Sequence, residues 1–147
     1  MKWLLVLIML TFSSPALHAA PSRTDSPKRL YDRVMKEFHE RDYEAALAGF
    51  RFFLALHGKS PLASSAQYWI GECEFRLGRY REAIQSFELV LSRYPASPKL
   101  AAATLKKALT YEKLGQVNES RILLERIALD FPNTQEAELA KKALRKP

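Results

Sequence analysis

The sequence predicts an all-α fold: a right-handed helical solenoid of three helix-turn-helix repeats closed by a C-terminal capping helix. Three observations carry this. The chain repeats itself every 37 residues, a shift that superposes Tyr43 on Tyr80, Ala46 on Ala83, Phe50 on Phe87 and Ser60-Pro61 on Ser97-Pro98. A second shift carries Gly78 to Gly115, Val90 to Ile127 and Tyr94-Pro95 to Phe131-Pro132. A fixed period in this range marks stacked supersecondary units, which mostly bind other proteins. Each period also holds two stretches with apolar residues three and four apart, the spacing of one helix face. No stretch alternates as a strand would.

Residues 1–20 precede the array. Lys2, the apolar run from Trp3 to Phe12 and the small or turn-forming residues from Pro15 to Ala20 have the order of a cleaved secretory signal peptide. A ten-residue run falls short of the roughly 20 that a spanning helix needs, and no later stretch is apolar for longer, so no transmembrane segment is expected in the mature chain. Cleavage near Ala19 and a periplasmic location follow as expectations. No cysteine stands near the cut for lipid attachment. Residues 21–26 read as a short, mobile, polar lead-in.

The domain is expected over 27–147. Unit one (27–60) contains helices 27–39 and 42–57. Unit two (61–97) starts at Ser60-Pro61, where a serine cap and a proline of fixed φ suit helix entry. Its helices cover 61–77 and 79–94, with Gly78 at the turn and Pro95 ending the second, because the residue before a proline is pushed out of the α region. Unit three (98–133) repeats this grammar with helices 98–114 and 117–131. Thr134 caps a final helix, 135–145, whose Ala137, Ala140 and Leu144 cover the last repeat while Lys141, Lys142 and Arg145 face water, as a solenoid cap requires. Within units, Ala46, Ala83 and Ser120 are small where paired helices approach, as are Gly71 and Ala108. Tyr43, Tyr80, Phe50 and Phe87, with Val117 and Leu124 as counterparts, fill the space around those contacts.

The pattern Ile70-Gly71, Gly78, Tyr80, Ala83, Phe87 and Pro95 resembles the tetratricopeptide repeat. Unit three keeps step through Ala108, Tyr111, Gly115, Ser120, Leu124 and Pro132. Unit one departs, with Arg41 at the turn glycine, Val34 at the small position and Gly58 for the final proline. Lys107 occupies an apolar slot and is expected to snorkel. The three additional residues per unit lie between repeats. Together with the ending helix, TQEAELAKKAL, they resemble the C-terminal domain of the periplasmic Tol-Pal-associated cell-division coordinator, the YbgF family. That resemblance implies envelope partners, among them Tol-system or peptidoglycan-synthesis proteins. Family members typically carry an N-terminal coiled coil that makes them trimers. No such coiled coil is expected between residues 1–20 and the array, so the trimer is not carried over.

Composition narrows the function. Lys and Arg number 23 against 16 Asp and Glu, a net charge of +7. Without residues 1–20 the charge is +6. The basic residues are scattered, apart from Lys141, Lys142, Arg145 and Lys146, and no nucleic-acid motif accompanies them, so nucleic acid is not an expected partner. Cys73 is alone, which leaves the exported fold without an internal disulfide. Lys36 and Thr110 take its place in the other units, so it reads as a small buried residue rather than shared chemistry.

No catalytic constellation emerges. Beyond His18 in the leader, the histidines are His39 and His57, neither with a metal-ligand partner at helical spacing. There is no phosphate-binding glycine loop and no nucleophile elbow. Glu72 and Glu74, like Glu136 and Glu138, are two apart and cannot share a helix face. A non-enzymatic protein with no cofactor and no metal is the expectation. In tetratricopeptide arrays the first helix of each unit lines a concave groove. Carried over by position, that geometry points to Tyr31, Met35, Phe38 and His39; to Tyr68, Glu72, Phe75 and Arg76; and to Leu105, Leu109, Glu112 and Lys113. Rigid aromatics flanked by charges suit capture of a peptide or helix of a partner. The alternative function is a structural subunit of an outer-membrane assembly or secretion complex, docked through the basic C-terminal helix or an outer face. For each aromatic, the alternative role is to cement neighbouring first helices.

Overall fold

A computed structural model describes residues 25–145; the signal-peptide reading and residues 21–24 of the lead-in lie outside it. Seven helices follow in order: α1 (Pro27–His39), α2 (Tyr43–His57), α3 (Ala63–Arg76), α4 (Tyr80–Arg93), α5 (Leu100–Lys113), α6 (Val117–Asp130) and α7 (Gln135–Leu144). No strand occurs among the described residues. Each helix packs on the next, and α3 and α5 each lie between two second helices. The chain therefore forms a helical solenoid with first helices α1, α3, α5 and α7 along one layer.

One device turns all three units. Gly78 and Gly115 sit at φ +74°, and the following N–H reaches back over a full turn, Arg79 to the Glu74 carbonyl at 2.8 Å and Gln116 to that of Tyr111 at 2.9 Å. This left-handed C-cap favours glycine because a Cβ would crowd the carbonyl. Unit one makes the same turn with Arg41 at φ 65°, the Asp42 N–H donating to the Glu37 carbonyl at 3.0 Å. A side chain in that region costs roughly 1–2 kcal/mol. The Asp42 carboxylate offsets part of this by accepting the Ala45 N–H at 3.1 Å, capping α2.

Helices α3 and α5 start two residues later than the Ser-Pro rule predicts. Ser60 Oγ accepts the Leu62 N–H at 3.2 Å and the Ser60 carbonyl takes that of Ala63 at 2.9 Å, so Ser-Pro-Leu is a turn rather than a helix cap. Ser97 repeats this, accepting the Lys99 N–H at 3.0 Å. The lead-in is anchored at its end. Ser26 accepts the Arg29 N–H as the α1 cap, and Asp25 pairs with Arg29 at 3.0 Å and with Arg33.

Packing follows the small residues. Ala46 and Ala83 are fully buried, as are Phe50 and Phe87. A Cβ on Gly71 would stand 2.6 Å from a ring carbon of Phe87, closer than real contacts allow, so α3 meets α4 where only glycine fits. Lys107 does snorkel, its Nζ 2.6 Å from Glu88 and 5.9 Å from the Tyr111 ring. Val117 departs from expectation: it is 64 % exposed. Tyr43 and Tyr80 pack edge-on against Phe38 and Phe75, each at 5.4 Å; unit three has Glu112 in that phenylalanine's place and offers Val117 no ring. Thr134 accepts the Ala137 N–H at 3.2 Å, and α7 buries Ala137 and Ala140 completely against Leu124 and Ile127. Lys142 and Arg145 are exposed, while Lys141 lies partly covered beside Glu138 at 2.8 Å.

Candidate peptide-binding groove

The helical register brings the twelve expected residues onto α1, α3 and α5, and burial then sorts them. On α1, Tyr31 is half-buried, edge-on to Phe50 and Phe53 at 5.7 Å each. Phe38 lies 4.7 Å from Trp69, joining α1 to α3. Met35 is half-exposed and His39 exposed. On α3, Tyr68 is 8 % exposed and touches Trp69 and Phe87 at 5.4 and 5.7 Å. Phe75 keeps part of its surface, and Arg76 is exposed. On α5, Leu105 is buried, Leu109 half-buried, and Glu112 and Lys113 exposed. Tyr68, Glu72 and Leu105 therefore form the floor, leaving contact surface mainly to Met35, His39, Phe75, Arg76, Leu109 and Lys113.

The floor is electrostatically closed. Glu72, 3 % exposed, pairs with Lys106 Nζ at 2.8 Å and accepts the Tyr68 hydroxyl at 3.4 Å. Two residues on, Glu74 points the other way and takes Arg51 at 2.9 Å and the Ser86 hydroxyl at 2.6 Å, tying α2, α3 and α4 together. Burial, and next the Glu72 charge, raise the Tyr68 phenol above its ordinary range. The same causes, burial first and then Glu72 and Glu74, push the Cys73 thiol up to about 12. A thiol so held carries no thiolate at neutral pH and is no nucleophile.

Three residues that position-by-position transfer misses complete the face. Lys99 Nζ stands 5.3 Å from the Tyr68 ring and 5.9 Å from that of Trp69, and Lys106 Nζ lies 5.5 Å from Phe75. Such cation–ring contacts contribute about 0.5–2 kcal/mol. Trp69 aligns with Asp32 and Lys106 in the repeat, so its chemistry changes from unit to unit and the register flags nothing. The seven-residue spacing of Lys99, Lys106 and Lys113 was the available signal, since it lines up the N-cap lysine of α5 with two lysines on one face of that helix. Among the described residues no three His, Cys, Asp or Glu stand together as metal ligands, and no described helix is long and apolar enough to cross a membrane.

Stacked helix pairs with a continuous first-helix face define an α-solenoid repeat protein. Tetratricopeptide-repeat models match residues 31–98 and 75–144, and the chain belongs to the tetratricopeptide repeat family. No curated protein matches it. Solved structures do. The Arabidopsis OM64 TPR domain is 14 % identical with a TM-score of 0.69, covering 84 % of this chain and 98 % of its own. The Yersinia enterocolitica type III secretion chaperone SycD, solved with a peptide of the translocator YopD, is 18 % identical at a TM-score of 0.67, covering 80 % and 85 %. The second TPR domain of human RPAP3, in complex with the HSP70 peptide SGPTIEEVD, is 19 % identical at 0.64, covering 83 % and 100 %. At these identities the likeness establishes the fold.

Proposed function

We propose that this protein is an exported, non-enzymatic scaffold of the cell envelope. Its first-helix face is a concave groove that captures a peptide or helix of a partner protein. The observation that carries this is the face itself: first-helix rings packed together, Phe38–Trp69–Tyr68, backed by the buried Phe87 of α4 and overlaid by partly exposed Met35, Phe75 and Leu109 and by charged side chains at the rim. Rigid aromatics surrounded by water-excluding contacts are what hot spots require. Two of the similar solved folds hold a peptide of another protein, which supports a peptide ligand here. The leader at residues 1–20 supports a periplasmic setting. The spacing between units and the TQEAELAKKAL helix support a partner in the Tol-Pal or peptidoglycan-synthesis machinery, and so a role in envelope maintenance or division.

The test is photo-cross-linking in intact cells from positions 75 and 109, with exposed positions 85 and 121 on α4 and α6 as controls. The proposal expects one discrete adduct with an envelope protein from the first-helix positions only. Equal labelling from all four positions contradicts it.

A further inference from the structure

We infer that the N-terminal end of the array is a self-association face: two copies pack their α2 helices antiparallel about a two-fold axis, each setting Phe52 into a cleft of the other. The face is distinct from the concave one and does not depend on it. A cleft of about 400 Å³ lies between α1 and α2 over Val34, Ala45, Ala48 and Gly49, with Phe52 at its edge and Arg33 and Glu37 on its α1 rim.

The repeat shows what such a surface receives. A shift of 37 carries six of the seven lining residues onto the lining of a second cleft, on unit two, where the preceding second helix, α2, adds Arg51 and Leu54 as a further wall. There polar groups close the contact: Glu74 takes Arg51 at 2.9 Å and the Ser86 hydroxyl at 2.6 Å, and Gln67 donates to the Ser86 carbonyl at 3.2 Å. No helix stands before α1 among the described residues, yet the cleft of unit one is the less polar of the two, with Ala45, Ala48 and Gly49 where unit two has Glu82, Gln85 and Ser86. A solenoid end left to solvent needs a polar outer face. Helix α7 supplies one through exposed Lys142 and Arg145, whereas α2 turns outward Ala48, Phe52, Ala55 and Leu56, the last 36 % exposed. The element that fits over this end is a second helix with an apolar face, and α2 of another copy is one.

Knob and hole belong to the same face. Phe52 stands one turn from Ala48, so an antiparallel copy turned about an axis near residue 50 sets each ring over the other's Ala48, in the cleft backed by Gly49 and Val34. An isologous contact requires one such self-complementary patch. The alanines let the helix axes approach to about 8 Å. The rim charges match as well. Arg33 and Glu37 are one turn apart on α1, and Gly49 lies against Val34 and the Glu37 carboxylate, which fixes this rim beside the axis. The same rotation therefore brings Arg33 of each copy toward Glu37 of the other. Joined this way, two copies offer two first-helix faces to one partner, which raises avidity without new contacts.

Sedimentation equilibrium of the purified protein tests the inference. The face is small, in the weak class of interfaces below about 1,200 Å². Monomer is therefore expected to give way to dimer between about 1 and 200 μM, with no larger species because the two-fold closes. Phe52→Glu and Ala48→Glu, the second at an exposed position, are each expected to raise the dissociation constant at least about tenfold, with the circular dichroism of Ala48→Glu unchanged. Ile122→Glu, on the exposed face of α6, should leave it unaltered. A photoreactive group at position 48 is expected to give, in intact cells, an adduct of two copies of the chain. Monomer throughout the range, a dimer indifferent to Ala48→Glu or abolished by Ile122→Glu, no adduct from position 48, or an adduct there with a different protein or with the chain's own residues 1–24 each overturns the inference. Cross-linking from positions 75 and 109 tests the concave face separately and is untouched by any of these results.

Discussion

Replacing Gly71 by alanine separates close helix packing from helix propensity, because the two act with opposite sign. Propensity alone favours the change: glycine inside a helix costs about 1 kcal/mol relative to alanine. Packing opposes it. The new methyl would lie 2.6, 2.8 and 2.9 Å from three ring carbons of Phe87. That ring is fully buried and sits 5.7 Å from Tyr68, so it has nowhere to retreat. Overpacking of this kind costs about 1–3 kcal/mol, and steep repulsion at 2.6 Å places the cost toward the upper end. The net expectation for Gly71→Ala is a loss of about 1–2 kcal/mol, read as a lower urea midpoint at unchanged m-value. In that background Phe87→Leu should cost less than it does in the natural chain, a positive coupling that reports the contact directly. A Gly71→Ala variant stabilised by about 1 kcal/mol, with no coupling to position 87, would refute the close approach of α3 and α4.

Arg41→Gly should stabilise the fold by about 1 kcal/mol, since it relieves a side chain at φ 65°; a destabilised variant in thermal melts counts against the turn. Cys73 keeps its proton in the fold up to about 12, while an unfolded thiol ionises above its ordinary value near 8.5. Its stabilising contribution is therefore complete below pH 8.5 and is lost as the pH rises toward 12, at about 1.4 kcal/mol per unit. Cys73→Ala should flatten the fall in stability between pH 9 and 11, and an unchanged slope would contradict the burial. Glu72→Ala leaves Lys106 without its 2.8 Å partner and should cost about 2 kcal/mol by chemical denaturation, less than a fully buried pair because Lys106 can reach water. Truncation after Asn133 uncovers Leu124 and Ile127 and should lower stability or solubility; full retention of both removes the capping role of α7.

The repeat and the turns were legible because one physical requirement recurs in each unit. A left-handed residue must end each first helix, which Gly78 and Gly115 announce, and a small residue must sit where helices meet, as at Ala46, Ala83 and Gly71. Helix entry was less legible at Ser60-Pro61 and Ser97-Pro98, since a serine that caps and a serine that closes a turn look alike in sequence. The proposed binding face was legible only in outline. The register located the first-helix positions, but exposure depends on neighbours in other units: Phe38 is covered by Trp69, Tyr68 by Trp69 and Phe87, and Glu72 is neutralised by Lys106 from the next unit. Trp69 and Lys106 share one repeat position, occupied by Asp32 in unit one, whose residue type changes from unit to unit, so periodicity is silent about them. Val117 was misplaced for the same reason, through a ring that units one and two have and unit three lacks.

The central claim is that the first-helix face holds the partner, and amide chemical-shift mapping tests it most directly. Adding the partner segment recovered by cross-linking to the ¹⁵N-labelled protein should move the resonances of Met35, Phe75, Arg76, Leu109 and Lys113, and leave Gln85, Ser92 and Arg121 on the second helices in place. Shifts concentrated on α4 and α6, or on the basic end of α7, would contradict the account.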